Sequence, residues 1–170
     1  SYILSTTSHY KLAEQLSNYS NIPLLKTNII YFANSEIRTS ISSSVRGKNL
    51  FIITSPNNND KSINDYIMET YLLIKTCKRS DANNITLICP SFPYARQDKK
   101  DNARTCISAK DIADLFTLAG IDRIVCFDLH SHQIQGFFNI PCDNFYCISM
   151  IHDYLVKNHN IKVNNKIKFK

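Results

Sequence analysis

Apolar residues occur along this chain in two arrangements: short unbroken runs, and longer stretches in which they recur every three or four positions. Unbroken runs are typical of strands buried on both faces of a parallel sheet, and they lie at residues 2–4, 50–54, 85–89 and 123–129. Residues 24–32 and 36–42 have the pattern of two extended segments with a turn at 33–35 between them. The pattern therefore predicts a buried sheet and a hairpin.

The stretches with helical spacing predict helices at about 9–19, 63–77, 109–119 and 148–156. Gly120 is placed to end the third of these helices. Because strands and helices alternate from residue 44 onward, we expect an α/β domain with a mainly parallel sheet flanked by helices. Ligands of such sheets bind beyond the carboxyl ends of the strands, where residues 91–107 and 128–144 lie.

Composition narrows the class of protein. The 170 residues, 44% of them hydrophobic, are enough for one domain with a core, which we place at 1–156 with a tail at 157–170. There is no run of 18 apolar residues, so we expect no membrane span, and no signal peptide pattern is visible. The six cysteines form no C-x-x-C pair, which favours buried free thiols in a reducing compartment, the cytoplasm, over a zinc site.

The formal net charge of +6 is unevenly distributed. Five bases lie within 96–110, and five lysines without an acid lie within 157–170. Such stretches suggest ligands that bear phosphate, although a solvated face is the alternative. Nucleic acid is disfavoured as a partner because the chain has neither a helix with a basic stripe nor an aromatic–glycine RNA motif.

Basic and amide side chains follow the predicted strand at 85–89. Arg96 offers a planar fork to phosphate oxygens, Lys99 and Lys100 add point charges, and Gln97 can hydrogen-bond a sugar or a base. The segment has no glycine, so it is not a Walker-type loop. At this point the segment is equally well interpreted as a polyphosphate site or as a solvated loop.

Two further groups of residues could contact a ligand. Alternation would place Asp128 and His130 on one side of a strand end, where they could share a proton or, with Asp143 further along, a Mg²⁺ ion; a structural histidine is the alternative. Phe32 and Asn34 lie at the predicted turn, where they could stack on a base and hydrogen-bond its edge. The alternative there is a hairpin tip with a packed phenylalanine.

Taken together, these segments resemble the signature segments of ribose-phosphate pyrophosphokinases. The likeness runs over roughly residues 2–156, in order and at the family's spacing. The segments with this likeness are Phe32-Ala33-Asn34-Ser35-Glu36, Val45-Arg46-Gly47, Ile63-Asn64-Asp65 with Met68-Glu69, FPYARQDKKD at 92–101, ISAK at 107–110, and DLHSHQIQGFFNIPCDN at 128–144.

The resemblance implies a phosphoribosyltransferase-like fold and the transfer of diphosphate from ATP to ribose 5-phosphate, giving phosphoribosyl pyrophosphate and AMP. It implies a homo-oligomer in which Phe32, Asn34 and Glu36 reach the adenine of a neighbouring subunit. The residues implied to lie along ATP are Arg96, Gln97, Asp98, Lys99, Lys100 and Asp101. The residues implied to associate with Mg²⁺ are Asp128, His130, Asn139 and Asp143, and His130 is also the candidate catalytic residue.

The sequence departs from the family pattern in places. Asn139 stands where the family has an aspartate, and Thr105-Cys106 replaces an Ala-Pro or similar pair. The family's acidic ribose-phosphate loop and its flexible Lys/Arg loop do not occur in these 170 residues. We therefore expect the ribose 5-phosphate site to lie mostly in a second half and this chain alone to be inactive; a non-catalytic regulatory subunit is the alternative.

Overall fold

A computed structural model describes residues 1–55 and 61–159. Its strands are β1 (Tyr2–Ser5), β2 (Thr27–Tyr31), β3 (Ile37–Ile41), β4 (Asn49–Ile53), β5 (Asn84–Cys89), β6 (Arg123–Phe127) and β7 (Cys142–Phe145). Its α-helices are α1 (Tyr10–Ser20), α2 (Ile63–Arg79), α3 (Ser108–Ala119) and α4 (Ile148–His159). Short 3₁₀ helices span Thr7–His9 and His132–Phe137. Most of the predicted loop at 55–60 and of the predicted tail at 157–170 lies outside the described residues.

The main sheet has five strands in the order β1-β4-β5-β6-β7, and every neighbouring pair is parallel. Strands β2 and β3 form a separate antiparallel hairpin in which Thr27 pairs with Ile41 and Tyr31 with Ile37. The predicted α/β class with a mainly parallel sheet is confirmed, and so is the hairpin.

The core lies between the central strands and the helices α2 and α3. Ile52 of β4, Leu87 of β5 and Ile124 of β6 have no exposed surface, Leu73 of α2 has none either, and Phe116 of α3 is 1% exposed. Burial of each such side chain contributes about 1.5–3 kcal/mol. The unbroken apolar runs of the sequence are therefore strands of the main sheet, whose side chains are mostly buried in β1, β4 and β5 and alternate between buried and half-buried in β6.

Local sequence signals set the ends of two helices. The Ser62 hydroxyl accepts a hydrogen bond from the Asp65 amide, and the Asp65 carboxylate accepts one from the Ser62 amide, so this pair caps the start of α2. Gly120 ends α3 in the left-handed region, at φ 113°. A Cβ atom at Gly120 would come within 2.9 Å of the Lys78 side chain. Glycine therefore suits this position both because it adopts a left-handed φ easily and because it leaves room for Lys78.

The prediction of a strand over 123–129 was wrong at its end. Strand β6 ends at Phe127, and Asp128 has a left-handed φ of 44° while its amide donates to the Phe145 carbonyl oxygen at 2.9 Å. Alternation along a strand therefore does not relate Asp128 to His130. Strand β7 was not predicted, because an edge strand with Asp143 and Asn144 at its centre has no apolar run.

Helix α4 follows β7 and has no buried residue. Its apolar side chains are solvent-exposed in this chain, with Met150 66% and Tyr154 61% exposed. No helix within 1–55 and 61–159 has the length and apolar character needed to cross a membrane.

Candidate functional site

A cavity of about 940 Å³ opens at the carboxyl ends of β5 and β6. Residues 90–97, which follow β5, form one wall, and residues 127–130, at the end of β6, form the other. Ile63 and Asn64, in the first turn of α2, close a third side. Because β5 and β6 are neighbouring parallel strands, both loops leave the sheet at the same edge, which is where ligands bind in such folds. The volume suits a small organic ligand.

The first wall contains a tight turn held by a hydrogen bond within the turn and by another to α2. Tyr94 has a left-handed φ of 57°, its carbonyl oxygen accepts from the Gln97 amide at 2.9 Å, and its hydroxyl donates to Asn64 Oδ1 at 2.6 Å. A non-glycine residue in this conformation is strained and persists only where its surroundings hold it. The turn exposes Arg96 and Gln97, and among the described residues that line the cavity Arg96 is the one lysine or arginine.

Gln97 connects this wall to the start of α3. Its side-chain Oε1 accepts a hydrogen bond from the Ser108 hydroxyl at 2.6 Å, and its carbonyl oxygen accepts one from the Ala109 amide at 3.1 Å. Both partners lie in the first turn of α3. The position of Gln97 at the cavity is therefore coupled to the position of this helix.

Asp98 does not line the cavity. Its carboxylate is buried between the two walls, where it accepts hydrogen bonds from the Ser131 hydroxyl and from Gln133 Nε2, the latter at 3.0 Å. The hydrogen bond from Ser131 lowers the pKa of the Asp98 carboxyl, because it stabilises the charged form. Asp98 thus joins the loop after β5 to the loop after β6, which the sequence did not indicate.

The second wall is hydrogen-bonded to β7 and to the segment that follows it. The Asp128 carboxylate accepts a hydrogen bond from the Cys147 amide at 3.3 Å, and the Leu129 amide donates to Asn144 Oδ1 at 3.1 Å. Asp128 also raises the pKa of the Cys147 thiol, through a hydrogen bond. These contacts hold residues 128–130 at the cavity, so the structure brings Asp128 and His130 to the cavity that Arg96 and Gln97 line.

Other predicted site residues lie elsewhere. Lys99 and Asp101 form a loose ion pair at 3.9 Å with both side chains 70% exposed, and Lys100 is exposed beside them. Asn139 is exposed outside the cavity, and the Asp143 carboxylate pairs with the Arg123 guanidinium.

The four residues expected near Mg²⁺ are thus not one cluster. Asp128 and His130 share the cavity, and neither Asn139 nor Asp143 lines it. Over residues 1–55 and 61–159, no group of three or more His, Cys, Asp and Glu side chains could hold a metal ion.

The tip of the β2–β3 hairpin presents the predicted aromatic and polar residues away from this cavity. The Phe32 ring is 45% exposed, and the Arg38 guanidinium lies 5.9 Å from its centroid. The Asn34 side chain accepts a hydrogen bond from the Glu36 amide at 3.2 Å, which stabilises the turn. Asn34 thus has a local structural role whatever else it contacts.

Sequence reasoning missed two contributors to the cavity. Asn64 was identified only as part of the start of a helix. The signal that could have found it is the Ser62–Asp65 capping pair, which places Asn64 in the first turn of α2, next to a loop. The strained backbone of Tyr94 had no signal in the sequence, because tyrosine is not a residue that indicates a left-handed conformation.

Comparisons with known proteins show the family to which the chain is similar. Residues 1–120 match the family model described as the N-terminal domain of ribose phosphate pyrophosphokinase. The chain is 43% identical over 153 residues to ribose-phosphate pyrophosphokinase 4 of Saccharomyces cerevisiae, covering 90% of this chain and 47% of that protein. It is 45% identical over 157 residues to the ribose-phosphate pyrophosphokinase of Campylobacter jejuni, covering 92% and 50%.

The fold also matches a solved structure. The crystal structure of phosphoribosylpyrophosphate synthetase from Mycobacterium smegmatis superposes with a TM-score of 0.87 at 37% sequence identity, covering 93% of this chain and 52% of that one. The chain therefore spans about half the length of the relatives that it matches.

Proposed function

Because this chain belongs to the ribose-phosphate pyrophosphokinase family, we propose that it supplies the ATP-binding half of an enzyme that transfers diphosphate from ATP to ribose 5-phosphate. The products are phosphoribosyl pyrophosphate and AMP. The observation that supports this most directly is the cavity at the ends of β5 and β6, with Arg96 and Gln97 on one wall and Asp128 and His130 on the other.

Arg96 and Gln97 are assigned to ATP. The guanidinium of Arg96 can donate paired hydrogen bonds to phosphate oxygens, and the tight turn at Tyr94 presents it at the mouth of the cavity. Gln97 is held to the first turn of α3, so its backbone can stay in place when a ligand enters. Transfer of phosphoryl groups depends mostly on such positioning and on charge neutralisation.

Asp128 and His130 are assigned to the reacting end of the nucleotide, with Mg²⁺. Magnesium is commonly held in proteins by one or two carboxylates together with substrate phosphates, and Asp128 offers an exposed carboxylate beside His130 in the cavity. The Cys147 amide orients that carboxylate. Bound Mg²⁺ would neutralise charge on the polyphosphate. His130 is placed to stabilise charge or to hold a proton at the transferred group, and we do not assign Asn139 or Asp143 to the metal.

The remaining parts of the enzyme are assigned outside these 170 residues. Since the chain spans about half of its relatives, we place the ribose 5-phosphate site mostly in a second half. The hairpin tip of Phe32, Asn34 and Glu36 lies away from the cavity, so we assign it to the adenine site of a neighbouring copy in a homo-oligomer. The thiols of Cys77, Cys89 and Cys126 are buried and form no disulfide. Free thiols are typical of the reducing cytoplasm, where we place the enzyme.

The test is release of AMP from ATP that requires both ribose 5-phosphate and Mg²⁺, measured on the intact protein from its complete reading frame and on the 170-residue chain. We expect turnover by the intact protein and none detectable by the chain alone. Holding two reactants in line is worth about 7–11 kcal/mol of a barrier, so loss of the acceptor site should cost about five to eight orders of magnitude in rate.

Two results would contradict the proposal. Turnover by the 170-residue chain within about tenfold of the intact protein would show that the acceptor site is misplaced. An intact protein that binds ATP but releases no AMP would support the regulatory subunit instead.

A further inference from the structure

A buried carboxylate lies away from the cavity and has several donors around it. Glu69 of α2 has no exposed surface. It accepts hydrogen bonds from the Thr7 amide at 2.9 Å, the Thr7 hydroxyl at 2.7 Å, the Tyr31 hydroxyl at 2.6 Å and the Lys61 ammonium at 2.9 Å. A buried charge is tolerated only when it is paired and hydrogen-bonded. These contacts meet that requirement, and they join three separate parts of the chain.

One of those parts is the β2–β3 hairpin. Tyr31 is the last residue of β2 and directly precedes Phe32 at the tip. The Lys61 ammonium lies 4.0 Å from the centroid of the Tyr31 ring, so the lysine contacts both the phenol and the carboxylate. Glu69, Lys61 and Tyr31 therefore form one unit that holds the tip end of the hairpin against the start of α2.

The same helix holds the hairpin a second time. The hydroxyls of Thr39 in β3 and Thr76 in α2 are 2.7 Å apart. Glu69 and Thr76 are seven residues apart, which is about two helical turns, so they project from the same face of α2. At the base of the hairpin, the Thr27 hydroxyl donates to the Ser5 carbonyl oxygen at 2.7 Å. These anchors matter because the hairpin forms its own two-stranded sheet, and an isolated hairpin is marginally stable.

We propose that Glu69 is a positioning residue that sets, through Tyr31, where the hairpin tip with Phe32, Asn34 and Glu36 stands. This inference rests on the proposed function, in which the tip contacts the adenine of a neighbouring copy. Each hairpin strand has five residues and is about 17 Å long. Loss of the anchor at the tip end would leave the hairpin held by the packing of β3 on α2, by Thr39 and by the base, with no hydrogen bond from Tyr31 to α2 next to the tip. An adenine contact at the tip would then be lost more readily than the chemistry.

The decisive variant is Tyr31→Phe, which removes one hydroxyl and keeps the ring under Lys61. Thr70→Val is the matched control, because Thr70 is the next residue of α2 and its hydroxyl bonds to partners outside the hairpin, the Thr54 hydroxyl at 2.8 Å and the Tyr66 carbonyl oxygen at 2.7 Å. Both variants are made in the intact protein. Hydrogen exchange is measured over residues 27–41, together with the melting temperature, kcat and the KM for ATP.

We expect Tyr31→Phe to speed amide exchange at 31–37 and to raise the KM for ATP, each by about tenfold, the lower end of the range for loss of one hydrogen bond to a charged group. Its kcat should stay within about twofold of the wild type. Thr70→Val should lower the melting temperature by about as much as Tyr31→Phe does. It should leave the KM for ATP and the amide exchange of the hairpin unchanged. Glu69→Gln should act in the same direction as Tyr31→Phe and more strongly, since it removes the negative charge that pairs with Lys61.

The outcomes separate this inference from the proposed function. If Tyr31→Phe lowers the melting temperature as Thr70→Val does, with the KM and the hairpin exchange unchanged, Glu69 merely stabilises the core and the inference is overturned. If the wild-type intact protein releases no AMP, the proposed function fails, and unchanged exchange at 31–37 in Tyr31→Phe would still refute the anchoring. If Glu69→Gln does not fold, the result of Tyr31→Phe decides.

Discussion

Replacement of Arg96 by alanine should weaken ATP binding more than any other single loss of positive charge in the loop after β5. Among the described residues that line the cavity, Arg96 is the one lysine or arginine. Its exposed guanidinium extends from a turn that is stabilised by the hydrogen bond between the Gln97 amide and the Tyr94 carbonyl oxygen. A hydrogen bond to a charged group contributes about 1.5–3 kcal/mol. Removal of one such contact to a phosphate should therefore raise the Kd for ATP by about 10- to 100-fold.

Isothermal titration of ATP into the intact protein measures this effect. Lys11→Ala is the control, because Lys11 is exposed on α1, outside the cavity lining, and its loss changes the net charge equally. We expect the control to bind ATP within about twofold of the wild type, since exposed distant charges are screened by salt. If Arg96→Ala and Lys11→Ala bind ATP equally well, the assignment of the cavity to ATP is wrong.

Two further predictions concern stability and assembly. Burial raises the pKa of the Cys77 and Cys89 thiols from 9.0 to about 12, so the fold keeps them protonated while the unfolded chain ionises them, and stability should fall as pH rises from about 9 towards 12. Urea unfolding should show that the free energy of unfolding falls between pH 8 and pH 10 by about 1 kcal/mol per thiol more in the wild type than in a Cys77→Ala/Cys89→Ala variant. Equal pH dependence of the two proteins would contradict this. The intact protein should be an oligomer, because Phe32 and Glu36 do not line the cavity and we assign them to the nucleotide of another copy; light scattering that finds a strict monomer at micromolar concentration would refute that reasoning.

Most of the fold could be read from the order of residues. The apolar runs at 50–54 and 85–89 predicted strands because a strand covered on both faces excludes water from every side chain, and β4 and β5 are those strands. The hairpin followed from two extended segments around a short polar turn. The loops that line the cavity followed from the rule that parallel strands present their carboxyl ends at one edge.

Local pattern and contiguous motifs were enough to predict the α/β class, the likeness to ribose-phosphate pyrophosphokinases and the two loops that could contact a ligand. Arg96, Gln97, Asp128 and His130 were named from such motifs, and the structure brings them to one cavity. Their roles in binding and catalysis stay predictions that the experiments above test.

The contacts of the charged side chains could not be predicted from the sequence and became known from the packed fold. Asp98 stood in the motif beside Arg96 as an apparent ligand residue, yet it is buried under hydrogen bonds from Ser131 and Gln133. Glu69 was one more residue of a predicted helix, yet its donors include Thr7 and Tyr31, 62 and 38 residues away in sequence. A carboxylate has the same local pattern whether it faces water, a ligand or distant donors, because the partners that settle its role are brought to it by the packing of other elements.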